Sequence, residues 1–346
     1  MDCLGKSDKL LKSTFRRDLV FGLFGLLILI MLPNLVGGSA FPDFVIRMSA
    51  FAVFATSLNL LVGYGGMVSF GHGLFFGLGA YSFALMMQKL GTSVPMAFLS
   101  TVLLSGIVAA IVGAICIRLK EIYFAFLTLA FQMLLHSSII AWTDVTGGDQ
   151  GLTGGVPRPE FFGIRLDDPS HLYVFCVVIL VSSLLVMRHL LQTPFGFSLR
   201  MTRDNPTRCG FLGIKIWRVK LLAFIVAGIF GSVGGLIMSL YVSSAYPDFV
   251  YWTISGEAIF MILLGGMTVF LGPLVGAIML LLMTDVIAST PSIRDYNMLV
   301  LGAVILVFAL GLRKGLLGTM YDWWVNRTSI TTTEIDNSPD GEERNA

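Results

Sequence analysis

Charge is what this sequence has least of. Asp, Glu, Lys and Arg make up 13% of its 346 residues, against about 25% in a soluble domain. With 55% hydrophobic residues and a mean hydropathy of +0.84, this deficit excludes a soluble globular domain and points to a polytopic membrane protein. Cysteine is scarce too. Cys3, Cys116, Cys176 and Cys209 show no paired spacing, so neither a disulfide framework nor a cysteine metal site follows. Cys116 and Cys176 fall in apolar runs, where cysteine acts as a small hydrophobe. There is no G-x-x-x-x-G-K-[ST] run, and "GLRKGLLG" at 311–318 lacks its spacing, so no phosphate-cradling loop is expected. Nor is there a nucleophile with a base, or a metal-ligand cluster. The chain therefore reads as a non-enzyme with no cofactor of its own. Any energy it uses must come from another chain or from an ion gradient.

What the sequence has in excess is long uncharged runs, and one of them is unusual. Residues 48–88, between Arg47 and Lys89, carry no charge. A crossing needs roughly 20 apolar residues, so the run holds about two crossings with almost nothing left for a loop. Its middle, "LNLLVGYGGMVSFGHGLFFGLGAYSFALMM" at 58–87, is rich in glycine. Glycine weakens helices and lets backbones approach. Non-helical backbone at membrane depth persists only inside protein or against a wet cavity. The stretch reads as a broken membrane element packed inside a bundle, near a path. A helix hairpin with a glycine packing face is the plainer alternative. Gly65, Gly66, Ser69 and His72 are the path candidates here, although Ser69 and His72 could equally serve to satisfy broken backbone.

Taken in order, the chain begins with a basic segment, 1–18, which marks a cytoplasmic start. Leu19–Val36 reads as a first, retained span rather than a cleaved signal, and 37–46 as a short outer loop. Spans follow at Met48 to about Tyr64, about Met67–Met87, Gly91–Ile117 and Ile122–Thr143. The segment 144–171, "DVTGGDQGLTGGVPRPEFFGIRLDDPSH", reads as an outer loop. Leu172–Met187 is the sixth span and Leu221–Tyr246 the seventh, joined by a basic cytoplasmic loop at 193–219. Residues 255–290 hold two shortish helices, interrupted at Gly265-Gly266 and Gly272-Pro273. Asn297–Leu312 is the last span, so the membrane domain covers 19–318. The tail 327–346 reads as disordered. The expected fold is an all-α polytopic membrane protein of about ten spans, within a range of about eight to eleven because glycine-broken segments are hard to count. Both ends are then cytoplasmic. Arg47, Lys89, Arg158, Arg165 and Arg294 face out, and the rest of the 23 basic residues face in.

"GGMVSFGHGL" at 65–74 is echoed by "GGMTVFLGPL" at 265–274. Corresponding interrupted helices suggest a transporter repeat, in parallel orientation on this topology. Common glycine packing would also produce the match. Gly265 and Gly266 join the path candidates. So does Glu257, which either complements a helix start or meets a substrate ammonium group. His136 reads as a packed residue, and Asp285 as one half of an inter-helix pair or an interface residue. In the loop, "TRDNPTRCGFLG" allows Asp204 or Asn205 to cap a short helix with Pro206 in its first turn. Such a loop either docks a soluble partner or merely sets topology.

These stretches, with "EIYFAFLTLAF", "TDVTGGDQGLTG" and "GEAIFMILLGGMTVFLGPLVGA", resemble the permease subunit of high-affinity branched-chain amino acid ABC importers, the LivM family. The resemblance runs over roughly residues 45–318. It implies a permease subunit of the bacterial inner membrane that moves hydrophobic amino acids inward. It implies pairing with a second homologous permease, two ATPase subunits that bind ATP and Mg, and a periplasmic substrate-binding protein. It also implies that Arg203, Asp204, Asn205, Arg208, Gly210, Leu212 and Gly213 form the element coupled to the ATPase. Urea importers and importers of small amides or aromatic acids look similar, so the cargo stays open. An ion-coupled secondary carrier is the alternative from another class. It would need intramembrane charge, which is scarce.

Overall fold

A computed structural model describes residues 17–33, 38, 40–152, 155–156, 160–161, 164–290, 297–311 and 315–320. The tail expected at 327–346 and most of the basic leader lie outside the described residues.

The bundle is built on α2 (Ala40–Asn59), which ends in a π-turn over Leu60–Tyr64. Every residue from Met48 to Asn59 is buried. A helix that is apolar all round belongs in the interior, and α2 touches four neighbours: α7 (Pro169–Gln192), α10 (Ile216–Val242), α11 (Trp252–Gly265) and α12 (Gly272–Ser289). α3 (Gly73–Gln88) packs on α10 and on α4 (Val94–Cys116), with α5 (Glu121–Ala141) beside them. α1 covers 17–33 and α13 covers Asn297–Gly311. Six described helices are long and apolar enough to cross a membrane, and Gly73–Gln88, Trp252–Gly265 and Leu299–Phe308 are shorter apolar helices. The fold is helical as expected, with one two-residue antiparallel ladder, Glu160–Phe161 on Ile164–Arg165.

Backbone-on-backbone contact sets the tightest crossings. A Cβ on Gly79 would overlap the Ser232 backbone, and one on Gly235 the Phe76 carbonyl, so α3 and α10 meet with no side chain between them. Such small-residue seams are the usual basis of packing where lipid removes a hydrophobic drive between helices.

Several expected boundaries shift; the seventh span, expected at Leu221–Tyr246, is Ile216–Val242, and four others shift for local reasons. The outer loop expected at 37–46 is helix from Ala40, because Pro42 fits a first turn and Asp43 complements the helix dipole there. The span expected from Met67 starts as a helix only at Gly73. α7 starts at Pro169 rather than Leu172, because Asp168 caps it: Ser170 N donates to Asp168 Oδ1 at 2.9 Å. The segment expected as loop, 144–171, contains α6 (Thr143–Thr146) and a 3-10 turn at Gly148–Gln150, and it pairs with the chain after α10. Leu152 N donates to Ala245 O at 2.9 Å and Val156 N to Ser243 O at 2.7 Å.

At the end of the bundle where α2 starts, Arg47 of α2 grips Asp285 of α12. The guanidinium donates twice to the carboxylate, at 3.1 and 2.6 Å. Asp285 is thus one half of an inter-helix pair. Removing either partner strands the other. Arg47→Ala or Asp285→Ala is expected to cost about 1.5–3 kcal/mol, the range for hydrogen bonds to charged groups. The Arg47→Asp, Asp285→Arg exchange should recover most of it. Thermal unfolding of the detergent-solubilised protein measures all three.

Candidate functional site

The chain leaves helical geometry twice inside the bundle, and the two departures meet. The first follows the π-turn. Met67 N donates back to Leu61 O at 2.9 Å, and Gly66 takes a left-handed φ of +65°. The chain then runs without helix from Met67 to Gly71, with Met67, Ser69 and Gly71 buried and Val68 and Phe70 exposed. That alternation is the period of two of an extended strand. It carries the chain back along α2 to the level of Ser57. There His72 stacks on Phe54, with ring centroids 5.3 Å apart, and its Nε2 lies 2.8 Å from Ser57 Oγ. Ser57 Oγ donates to the Phe54 carbonyl at 2.7 Å. Nε2 therefore supplies the proton between His72 and Ser57, and among the described residues Nδ1 is left as a buried acceptor without a partner. Ser69 Oγ is likewise buried and unpaired.

The second departure follows α10. Ser243 takes a left-handed φ of +55°, and a 3-10 turn at Pro247–Val250 leads to α11. Gln132, at the middle of α5 and fully buried, closes this break. Its Nε2 donates to the carbonyls of Val250 and Tyr251, both at 2.9 Å. Its Oε1 accepts from Ser255 Oγ at 2.8 Å, and Ser255 Oγ accepts from Gly73 N at 2.8 Å. One side-chain chain thus ties the first residue of α3 to the first turn of α11. Both half-helices aim their N-termini at the centre of the bundle, where the aligned peptide dipoles favour negative charge. Close approach is obligatory here. A Cβ on Gly71 would overlap the Thr128 carbonyl, and one on Gly73 would lie 2.5 Å from Gln132 Nε2.

The two glycine pairs come together at the other end of α2. Asn59 Nδ2 donates to Met267 O at 3.4 Å, and a Cβ on Gly63 would lie 2.7 Å from that carbonyl. Gly66 and Gly266, at φ +65° and +108°, each stand at the turn after a helix. α2 and α11 both run toward this end, so the echoed stretches occupy equivalent places. Gly65, Gly66, Gly265 and Gly266 therefore share one end of the bundle. His72 lies deeper. Glu257 stands apart from both: it lines a cavity of about 210 Å³ with Phe51, Met261, Leu280, Thr284, Ile287 and Leu301, away from Ser255 on the same helix.

Beneath the π-turn lie two short helices, α8 (Pro194–Asp204) and α9 (Pro206–Phe211). The first was read only as loop; Pro194 starts it, and Arg200 Nη2 staples it to Leu191 O at 3.1 Å. The second is capped as expected, with Arg208 N donating to Asn205 Oδ1 at 3.0 Å. Gly213 turns the chain out at φ +76°. Phe211 is 88% exposed and Leu212 66% exposed, while Arg208 and Gly210 lie on the open surface. Arg203 differs from the other residues expected to couple. Its Nη1 donates to the Gly63 carbonyl, its stem covers Gly66, and it pairs with Asp204 at 3.0 Å. It is thus tied to the bundle at its guanidinium and stem while its side chain stays 41% exposed.

Sequence reading missed Gln132 and Ser57. A lone amide in the apolar run of α5 was the available signal for the first. His136 is packed as expected, 5.2 Å from the Tyr251 ring. Gln132→Leu strips the Val250 carbonyl of its donor, at about 1–3 kcal/mol for a buried orphan, while Tyr251 O keeps Ile254 N at 3.2 Å. Gly71→Ala forces a backbone shift costing about 1–3 kcal/mol. Gly256→Ala, where a Cβ meets nothing within 4 Å, is the control expected to be silent. Thermal unfolding in detergent ranks the three.

Residues 41–309 match the family described as branched-chain amino acid transport system / permease component. The chain is 26% identical over 302 residues to the high-affinity branched-chain amino acid transport system permease protein LivM of Salmonella typhimurium, covering 80% of this chain and 69% of the relative. The LivM protein of Escherichia coli is 26% identical over 294 residues, 77% of this chain and 67% of that one. The autoinducer 2 import system permease protein LsrC of Salmonella paratyphi B is 28% identical over 201 residues, 56% of this chain and 54% of its own. No solved structure matches. A multi-helix membrane bundle broken twice at its centre, with this match over most of its length, belongs to the branched-chain amino acid permease family of ABC transport systems.

Proposed function

We propose that this chain is the translocation subunit of an ATP-driven importer for branched-chain or other hydrophobic amino acids in a bacterial inner membrane. It works with a second homologous permease, two ATPase subunits that hold ATP and Mg, and a periplasmic substrate-binding protein. The observation that carries the reading is the α8–α9 platform joined by Arg203 to the first broken element. A surface with exposed Phe211, Leu212 and Arg208 suits docking of a soluble partner. Arg203 then passes its displacement to Gly63 and Gly66. The path runs by Gly65, Gly66, Ser69, His72, Gly265 and Gly266, between the two breaks. An amino-acid cargo is supported by matches to LivM relatives over most of the chain, whereas the autoinducer 2 relative matches over about half. The α8–α9 end is cytoplasmic on this reading, as are both termini. α1, α3, α11 and α13 bring the six long spans to ten.

Two roles are thereby separated within one loop. Arg208→Glu with Phe211→Ala should remove the ATPase subunits from the co-purified complex. Arg203→Ala should leave them bound but lose substrate-stimulated ATP hydrolysis and uptake of labelled leucine. Unchanged co-purification and hydrolysis in the first variant would return the reading to an ion-coupled carrier. Impermeant thiol reagent should label a cysteine at Gln150, and not one at Asn205, in sealed cells lacking the natural cysteines; the reverse pattern overturns the orientation.

A further inference from the structure

A second cavity, of about 490 Å³, opens between α1, α2, α7 and α12. Its walls are apolar: Phe21, Leu29, Met48, Leu184, Leu274 and Ile278 among them. One end alone is charged, at Asp18 and Arg188. The gap is not loose docking, because α1 is pinned at both ends. Arg188 Nε and Gln192 Nε2 donate to Asp18 Oδ2 at 2.7 and 2.6 Å. Tyr173 Oη donates to Leu29 O at 2.6 Å. Between these ties a Cβ on Gly25 would meet nothing within 4 Å.

We infer that this groove holds one acyl chain of an anionic phospholipid, with the lipid phosphate on Arg188. The length fits. From Asp18 to Leu29, α1 rises about 16 Å at 1.5 Å per residue, roughly half of the ~30 Å hydrocarbon core. That is the depth of one leaflet. The charge fits as well. Nε is committed to Asp18, and the guanidinium lies over the Phe270 ring at 5.8 Å. Among the described residues its two terminal amino groups have no partner, which leaves the fork that phosphate oxygens match. Asp18 is 7% exposed and its Oδ2 is taken up by Arg188 and Gln192, so it orients the arginine at the charged end of the groove. Arg17 beside it adds positive charge. Basic residues at the end of an apolar gap between spans are a recognised setting for anionic headgroups.

The probe is phosphatidylglycerol bearing a photoactivatable diazirine in its acyl chain, added to the delipidated protein in detergent, with the phosphatidylcholine analogue in parallel. Peptide mass spectrometry should map phosphatidylglycerol cross-links to 21–29 and 180–185. Arg188→Gln should reduce them about tenfold, to the phosphatidylcholine level, and Arg188→Lys should retain most of them. Gly25→Leu fills the groove, leaves the Asp18 pair intact, and should also reduce them about tenfold. It decides the matter if Arg188→Gln fails to fold. Absence of cross-links at these stretches, equal labelling by the two lipids, or undiminished labelling in Gly25→Leu overturns the assignment. In the assembled complex, cross-links from these stretches to another protein chain would give the groove to a protein partner instead.

Discussion

A backbone amide or carbonyl that leaves helical geometry within a bilayer has no water to turn to and must find its partner inside the protein. This bundle breaks its helices twice, and the groups that repair the breaks organise the rest. Gln132 accepts the burden of the second break through two carbonyls, and Ser255 passes the connection on to the first amide of α3. Ser57 does the equivalent for His72 beside the first break. The central position of α2 follows from this, since the returning strand needs a buried helix to lie against. So do the half-length of α3 and α11, because each begins where a break ends.

Glycine is the second condition. The broken segments fit only because neighbouring elements come this close: Gly71 on the Thr128 carbonyl, Gly79 on the Ser232 carbonyl, and Gly77 on the Val250 side chain. Each such contact trades side-chain packing for proximity, which in a membrane is a favourable exchange. It also explains why Gly71, Gly73, Gly77 and Gly79 are buried inside the bundle rather than part of a surface loop. A bundle with bulkier residues at these places could hold straight helices, but not a doubled-back chain.

Most spans were legible from apolar runs bounded by charge, since a bilayer imposes length and polarity together. The first break was legible too, because glycine pairs in a run too short for a loop leave few alternatives; the second was not, since Leu221–Tyr246 read as one span and α10 ends at Val242. Three other things were hidden. The start of α2 at Ala40 was masked by Pro42, which marks a loop or a first turn with equal force. α8 was hidden because it is amphipathic, basic and flanked by prolines, all of which also describe a loop. Arg203 looked like a surface charge, since nothing local in a sequence shows that a residue 140 positions away offers it a carbonyl. The partner of Gly73, 182 positions on, was invisible for the same reason. Periodicity reports what a segment does, and these contacts are properties of pairs.

The seam between α11 and α12 carries one further consequence. Gly265, Gly272 and Gly276 bring these helices so close that added Cβ atoms would fall on the backbone of Gly272, Gly266 and Met261. No side chain lies between them to change rotamer, so the seam has no soft coordinate along which to slide or widen by small steps. The hairpin therefore behaves as a single plank. Whatever displaces Met267 at its tip carries Asp285, at the other end of α12, along with it.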